Sequence, residues 1–339
     1  MTLNQRINAL SALGVWLDQN DETLQSVILR SFHKNAWFTP ENTSSAIQSI
    51  VNSFLIKDKL TTWTSGYPIP ETSNPKTIGL VMAGNIPLVG FHDLIAVFIT
   101  GHKALIKLSD KDALLLPCIL NWLFDYYPET RNYFEITDRL KDFDAVIATG
   151  SNNSARYFET YFGKYPHIIR KNRNSVAVLD GKETNEDLLK LGEDVFTYFG
   201  LGCRNVSKLY VPAGYDFASL LEIWMAYENT GNHNKFKNNF DYNYALVLLN
   251  NEAHLSNGII LLTENQQLGS RIASLHYEYY TDPELLTQQL LEKAAEIQCF
   301  VSNTPFSRIP VQPFGTTQSP GLSDYADGID TVAFLQTIY

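Results

Sequence analysis

Thr77-Ile78-Gly79-Leu80-Val81-Met82-Ala83-Gly84-Asn85-Ile86-Pro87-Leu88 decides the fold of this chain. Residues 77 to 82 form an apolar run of strand length, the pattern of a strand buried on both faces. The small residues Ala83 and Gly84, with Asn85, make a turn. The apolar stretch from Pro87 to Thr100 then reads as a helix with proline near its start, where the missing N–H costs least. Strand, glycine turn and helix in succession are the unit of a parallel sheet with helices on its faces. In open α/β sheets, ligands bind beyond the C-terminal ends of such strands.

The unit repeats on the C-terminal side. Strands are expected at Ala104 to Leu108, Ala145 to Ala148 and Ser175 to Leu179. Helices are expected at Lys111 to Tyr127 (interrupted by Pro117), Asn152 to Phe162 and Asn185 to Phe199. A second series follows, with strands at Lys208 to Val211, Ile259 to Leu262, Ile272 to Tyr279 and Ile297 to Val301. Its helices run from Phe217 to Glu228 and from Glu284 to Ala295. Upstream, the first ~60 residues carry helical periodicity, with Ile7, Leu10, Leu13 and Leu17 on one face. The fold class is therefore α/β, in two lobes with mostly parallel sheets and an N-terminal helical segment. A boundary near Gly200 divides it: residues 1–199, joined by a returning 305–339, form one domain, and 200–304 form the other.

The chain has 339 residues, room for two domains. Its net charge of -10 argues against general nucleic-acid binding. No apolar run approaches ~18 residues, and the N-terminus has no signal-peptide core, so a soluble cytoplasmic protein without a membrane span is expected. Three cysteines without paired spacing fit a reducing compartment and form no metal-type pair.

Cys203 lies in Phe199-Gly200-Leu201-Gly202-Cys203-Arg204-Asn205. Two glycines allow close approach to its backbone. The following arginine favours the thiolate, the form that attacks carbonyls. Cys118 lies in an apolar run and Cys299 in a strand, and both read as small buried hydrophobes, a structural role that is equally open to Cys203.

Other residues are candidates for chemistry. The Asn85 amide can donate to a developing oxyanion, or can simply organise its turn. Ala148-Thr149-Gly150-Ser151 is again strand, glycine turn and helix start, suited to phosphate or to ordinary capping. Lys107, near a strand end, can reach a ribose or phosphate, and Asp110 lies just beyond it. Arg170-Lys171-Asn172-Arg173 is a basic cluster that can hold a phosphorylated group or be a solvated loop. His233, in a polar run with Lys235 and Lys237, can supply a proton, with His92 as second choice.

In this order, these pieces resemble the aldehyde dehydrogenase superfamily. They are most similar to its acyl-CoA reductase branch, the relatives of the fatty-acid reductase subunit of bacterial luminescence. The resemblance rests on Asn85 with Pro87, on Ile106-Lys107-Leu108-Ser109-Asp110, on Thr149-Gly150-Ser151 and on Gly202-Cys203, with an echo at Pro313-Phe314-Gly315-Thr316-Thr317. It implies that Cys203 is the nucleophile, and that Asn85 and the Cys203 N–H form an oxyanion hole. It implies that Lys107, Asp110, Gly150 and Ser151 hold a nicotinamide cofactor, with His233 as the proposed proton donor. Hydrolytic members carry a glutamate before the strand that begins at Ser175, whereas residues 170–174 here hold no carboxylate. The resemblance therefore implies NAD(P)H-dependent reduction of a coenzyme A thioester to an aldehyde. Asp110 would repel a 2′-phosphate and the basic cluster would attract one, so NADP and NAD both stand. No match to the family's downstream glutamate-phenylalanine motif is found. The resemblance further implies a homo-oligomer, or a subunit of a fatty-acid reductase complex. Two other readings are a thiol acyltransferase without a redox step and a non-catalytic acyl-binding subunit.

Overall fold

The computed structural model describes residues 1–70, 75–306 and 308–338. These form two compact units, one of residues 1–172 with 319–339 and one of residues 173–318. The expected boundaries at 199/200 and 304/305 both lie inside the second unit. The strand at Ser175 is the reason, because it pairs with the strand that follows Cys203 and not with those that precede it.

The first unit opens with four helices: α1 (Leu3–Gln19), α2 (Glu22–Lys34), α3 (Pro40–Phe54) and α4 (Lys57–Ser65). Polar side chains start the first three. Thr2 and Gln5 form a capping box on α1, Asp21 caps α2, and Thr39 caps α3 ahead of Pro40. Then follow β1 (Thr77–Val81), α5 (Phe91–Ile99), β2 (Lys103–Lys107), α6 (Leu115–Tyr126), β3 (Phe134–Ile136), β4 (Ala145–Thr149), α7 (Asn152–Phe162) and β5 (His167–Arg170). The five strands pair in the order β3-β2-β1-β4-β5, all parallel. The chain winds outward from β1 to β3, then restarts on the other side of β1. The switch point of the sheet therefore falls between β1 and β4.

Two helices start later than expected. Pro87 lies in a turn, because Leu88 is left-handed (φ 55°) and α5 begins only after Gly90. Pro117 does not interrupt α6. The helix begins at Leu115, so Pro117 occupies its first turn, where backbone N–H groups have no helical partner anyway.

The second unit contains β6 (Asn174–Val178), α8 (Asn185–Phe196), β7 (Val206–Pro212), α9 (Phe217–Ile223), α10 (Glu228–Gly231), α11 (Asn234–Asn250), β8 (His254–Ser256), β9 (Leu261–Glu264), β10 (Ser274–Tyr280), α12 (Pro283–Glu292) and β11 (Ile297–Val301). Its sheet runs β11-β6-β7-β10-β9-β8, parallel except for the antiparallel β8–β9 pair. The chain returns to the first unit through α13 (Thr331–Gln336). No described helix is long and apolar enough to cross a membrane.

Candidate active site

Cys203 follows an unusual exit from α8. Tyr198, Phe199 and Gly200 are all left-handed, at φ 53°, 58° and 74°. Glycine adopts this conformation freely, whereas Tyr and Phe each bear a cost of about 1–2 kcal/mol. Packing holds them there. Both aromatic side chains are buried. The Phe199 ring lies 4.4 Å from that of His233 and 5.9 Å from that of Phe236, centroid to centroid.

Two buried side chains bond backbone groups of the cysteine loop. The Asn205 Oδ1 accepts from Gly202 N–H at 2.8 Å, while Asn205 N–H donates to the Gly202 carbonyl at 3.1 Å. The Asn205 Nδ2 donates to the carbonyls of Thr197 (2.8 Å) and Asp194 (3.1 Å) at the end of α8. One amide thus caps the helix and closes the turn that carries Cys203. Ser175 Oγ donates to the Cys203 carbonyl at 2.9 Å and accepts from Cys299 N–H at 3.1 Å. Cys203 itself is half-buried. The Arg204 guanidinium, placed beside Cys203 by sequence, donates to Cys299 Sγ at 3.5 Å. Burial pushes the Cys299 thiol up, and the Arg204 charge opposes that shift.

Asp194 fastens a third strand of chain to this corner. Its carboxylate accepts from Gly315 N–H (2.7 Å) and from the Thr317 N–H (3.1 Å) and Oγ1 (2.8 Å). The Pro313 to Thr317 stretch is thereby tied to α8. Burial raises the Asp194 carboxyl above its ordinary value. His233 is the N-cap of α11, with Nδ1 accepting from Phe236 N–H at 3.3 Å. In the neutral ring this leaves Nε2 to carry the proton. Ser175, Asp194 and Asn205 are not among the sequence candidates, although Asn205 closes the stretch around Cys203.

In the first unit, five candidates gather at the C-terminal edge of one sheet. Asn85 follows β1, Lys107 ends β2 opposite Val81, Asp110 lies just beyond β2, and Gly150 and Ser151 follow β4. This is the side of the sheet on which the switch point opens. The loops are close-packed: a Cβ on Gly84 would meet Ser109 Oγ at 2.6 Å, and one on Gly150 would meet the Phe158 ring at 2.9 Å. Ser151 caps α7, accepting from Ser154 N–H at 3.2 Å. Lys107 and Asp110 are exposed, and Lys107 Nζ donates to the Asp138 carbonyl at 2.7 Å.

Two sequence candidates turn out to be structural. Arg170 is 3% exposed, forms an ion pair with Asp93, and donates to Thr331 Oγ1 at 2.9 Å. It is therefore not part of a solvent-facing phosphate cluster. His92 packs against Phe54, Trp63 and Tyr325, with Nε2 2.9 Å from the Leu322 carbonyl.

The sequence matches no family model, and no curated protein matches it. Solved structures do match. Aldehyde dehydrogenase 21 from Physcomitrella patens, in complex with its reaction product succinate, is 12% identical, with a TM-score of 0.74 over 100% of this chain and 84% of that one. The aldehyde dehydrogenase KauB from Pseudomonas aeruginosa is 13% identical, with a TM-score of 0.65 over 91% and 73%. Aldehyde dehydrogenase C from Pseudomonas syringae, a cysteine-to-alanine variant bound to NAD+ and octanal, is 11% identical, with a TM-score of 0.64 over 91% and 78%. The fold of this chain is therefore aldehyde-dehydrogenase-like, with one parallel sheet and one mixed sheet.

Proposed function

We propose that this protein is an NAD(P)H-dependent acyl-CoA reductase acting through a Cys203 acyl-enzyme. The observation that carries the reading is the Cys203 loop, closed by buried Asn205 and Ser175 in an aldehyde-dehydrogenase-like fold. A loop held this way presents a nucleophile at low reorganisation cost.

In this reading the Cys203 sulfur attacks the thioester carbonyl and coenzyme A leaves. The Asn85 amide and the Cys203 N–H stabilise the oxyanion that forms on the way. A nicotinamide cofactor, when bound, supplies the hydride that reduces the acyl group. The exposed Lys107 and Asp110 and the Gly150-Ser151 turn at the start of α7 fit such a cofactor, since they line the edge where the first sheet switches direction. The resulting thiohemiacetal collapses to the aldehyde as its bond to the Cys203 sulfur breaks, and His233 Nε2 donates the proton that the departing thiolate takes up. The absence of a carboxylate between 170 and 174 supports reduction over hydrolysis, because no base is placed there to activate water. Arg170, which opens that stretch, is committed to Asp93.

The test is nicotinamide oxidation by the purified protein across a series of acyl-CoA chain lengths, with NADH and with NADPH, in wild type and Cys203→Ala. Oxidation with aldehyde and free coenzyme A, abolished in the variant, is the expected result. Cys203-dependent release of coenzyme A without oxidation would replace the reading with acyl transfer. Full turnover by Cys203→Ala would remove it.

A further inference from the structure

The turn that carries Asn85 is held by a buried carboxylate. After β1 the chain makes an irregular passage before α5 begins at Phe91. Leu88, within it, is left-handed, a conformation that a leucine keeps only when it is held. Its N–H donates to Asp112 Oδ2 at 2.7 Å. Asp112 comes from the 3₁₀ turn Asp110–Asp112 that follows β2. On the other side of Asn85, Gly84 is pressed against Ser109 of the same segment. Asn85 therefore sits between two fastenings, both supplied by the segment after β2.

We propose that Asp112 is a positioning residue for Asn85, its carboxylate fixing the turn that aims the Asn85 amide. This rests on the reading of Asn85 as an oxyanion donor. Asp112 is 8% exposed, and its Oδ1 has no hydrogen-bond partner. It lines a small cavity with Met82, Leu88, Phe91, Leu108 and Leu116. A neutral side chain would satisfy one N–H without burying a charge. A carboxylate makes the stronger, charge-assisted bond, which suits a turn that must not move while an oxyanion forms beside it.

The experiment separates two reactions of Cys203 in the full chain. With p-nitrophenyl acetate, the sulfur bonds to the carbonyl carbon, p-nitrophenolate leaves, the thiol proton passes to solvent, and the acyl group remains on sulfur. That path goes through an oxyanion. With iodoacetamide, sulfur displaces iodide at a saturated carbon, and no oxyanion forms. Asp112→Ala is expected to slow acylation by about 10- to 100-fold, with alkylation unchanged within about twofold. Asp112→Asn, which keeps an acceptor for Leu88, recovers most of the acylation rate. Asn85→Ala shows a similar loss, and adding Asp112→Ala to it costs little more, since both act on one donor. Should Asp112→Ala fail to fold, Asp112→Ser is read the same way, because its hydroxyl is polar but too short to reach.

Unchanged acylation in the Asp112 variant would overturn the inference. So would an equal loss in alkylation, a loss that Asp112→Asn does not recover, or an unaffected Asn85→Ala. Absent thioester reduction with these acylation effects intact would remove the reductase reading and leave the positioning role standing.

Discussion

Replacing Asp112 by asparagine should stabilise the protein, increasingly so as pH rises. Burial pushes the Asp112 carboxyl from an ordinary 3.8 up to about 6, and the Leu88 N–H offsets only part of that shift. Between these two values the folded chain holds a proton that the unfolded chain has released. Stability contributed at this site is therefore full below the unfolded value and declines as pH rises through the folded one. Two units of separation, at about 1.4 kcal/mol each, amount to about 3 kcal/mol lost at pH 8, with roughly half of that already lost at pH 5. The asparagine of the variant would carry no charge and escape the loss, so the gap between variant and wild type should widen across this range. Urea unfolding followed by tryptophan fluorescence measures it, because four of the five tryptophans (Trp16, Trp37, Trp63 and Trp122) lie in the unit that contains Asp112. The full effect corresponds to a midpoint shift of about 1 M urea. A gap between the two midpoints that stays constant from pH 5 to pH 8 would show that the buried carboxyl is not destabilised by its surroundings.

Three further substitutions test how the site is held. Asn205→Ala leaves the Gly202 N–H and the Thr197 carbonyl without their side-chain partner, so a loss of about 2–4 kcal/mol is expected, with slower acylation of Cys203; an unchanged urea midpoint would contradict the clamp. Arg170→Met strands Asp93 in the interior and should cost about 3–5 kcal/mol, most of it recovered by adding Asp93→Leu, as read by melting temperature; a single variant that melts with wild type would show the pair to be idle. His233→Asn keeps an N-cap on α11 while removing the proton donor, so turnover should fall with stability unchanged; wild-type turnover would exclude His233 from proton transfer.

What the sequence disclosed and what it hid divide along one physical line. The β1 and β4 turns were legible because an apolar strand, a glycine and a helix start are local signals. The same holds for the Cys203 motif, where Gly200 and Gly202 mark a loop. The expected helix before that motif runs to Phe199, because nothing in Tyr198 or Phe199 announces a left-handed backbone. Gly200 looked like a domain boundary, while the units part between Asn172 and Arg173, in a polar run without glycine or proline. Arg170 reads as a phosphate ligand or as part of a solvated loop because its neighbours are charged, while its partners are 77 and 161 residues away. Asp112, within Asp110-Lys111-Asp112, carries no local sign that it is buried. Ser175 looked like the first residue of an ordinary strand.

Asp112, Asn205 and Ser175 escape a local reading for one reason. A loop that presents a reactive group leaves its own N–H and C=O groups unpaired by regular structure, and burial then obliges some side chain to pair them. That side chain must be polar, and it comes from wherever the fold brings it. Asp112 serves Leu88, Asn205 serves Gly202 and the end of α8, and Ser175 serves Cys203 and Cys299. Such residues carry no local mark of that role until the backbone group they satisfy is known. In this chain, reactive candidates are found by local pattern, whereas the residues that aim them are found by asking where each irregular backbone group is bonded.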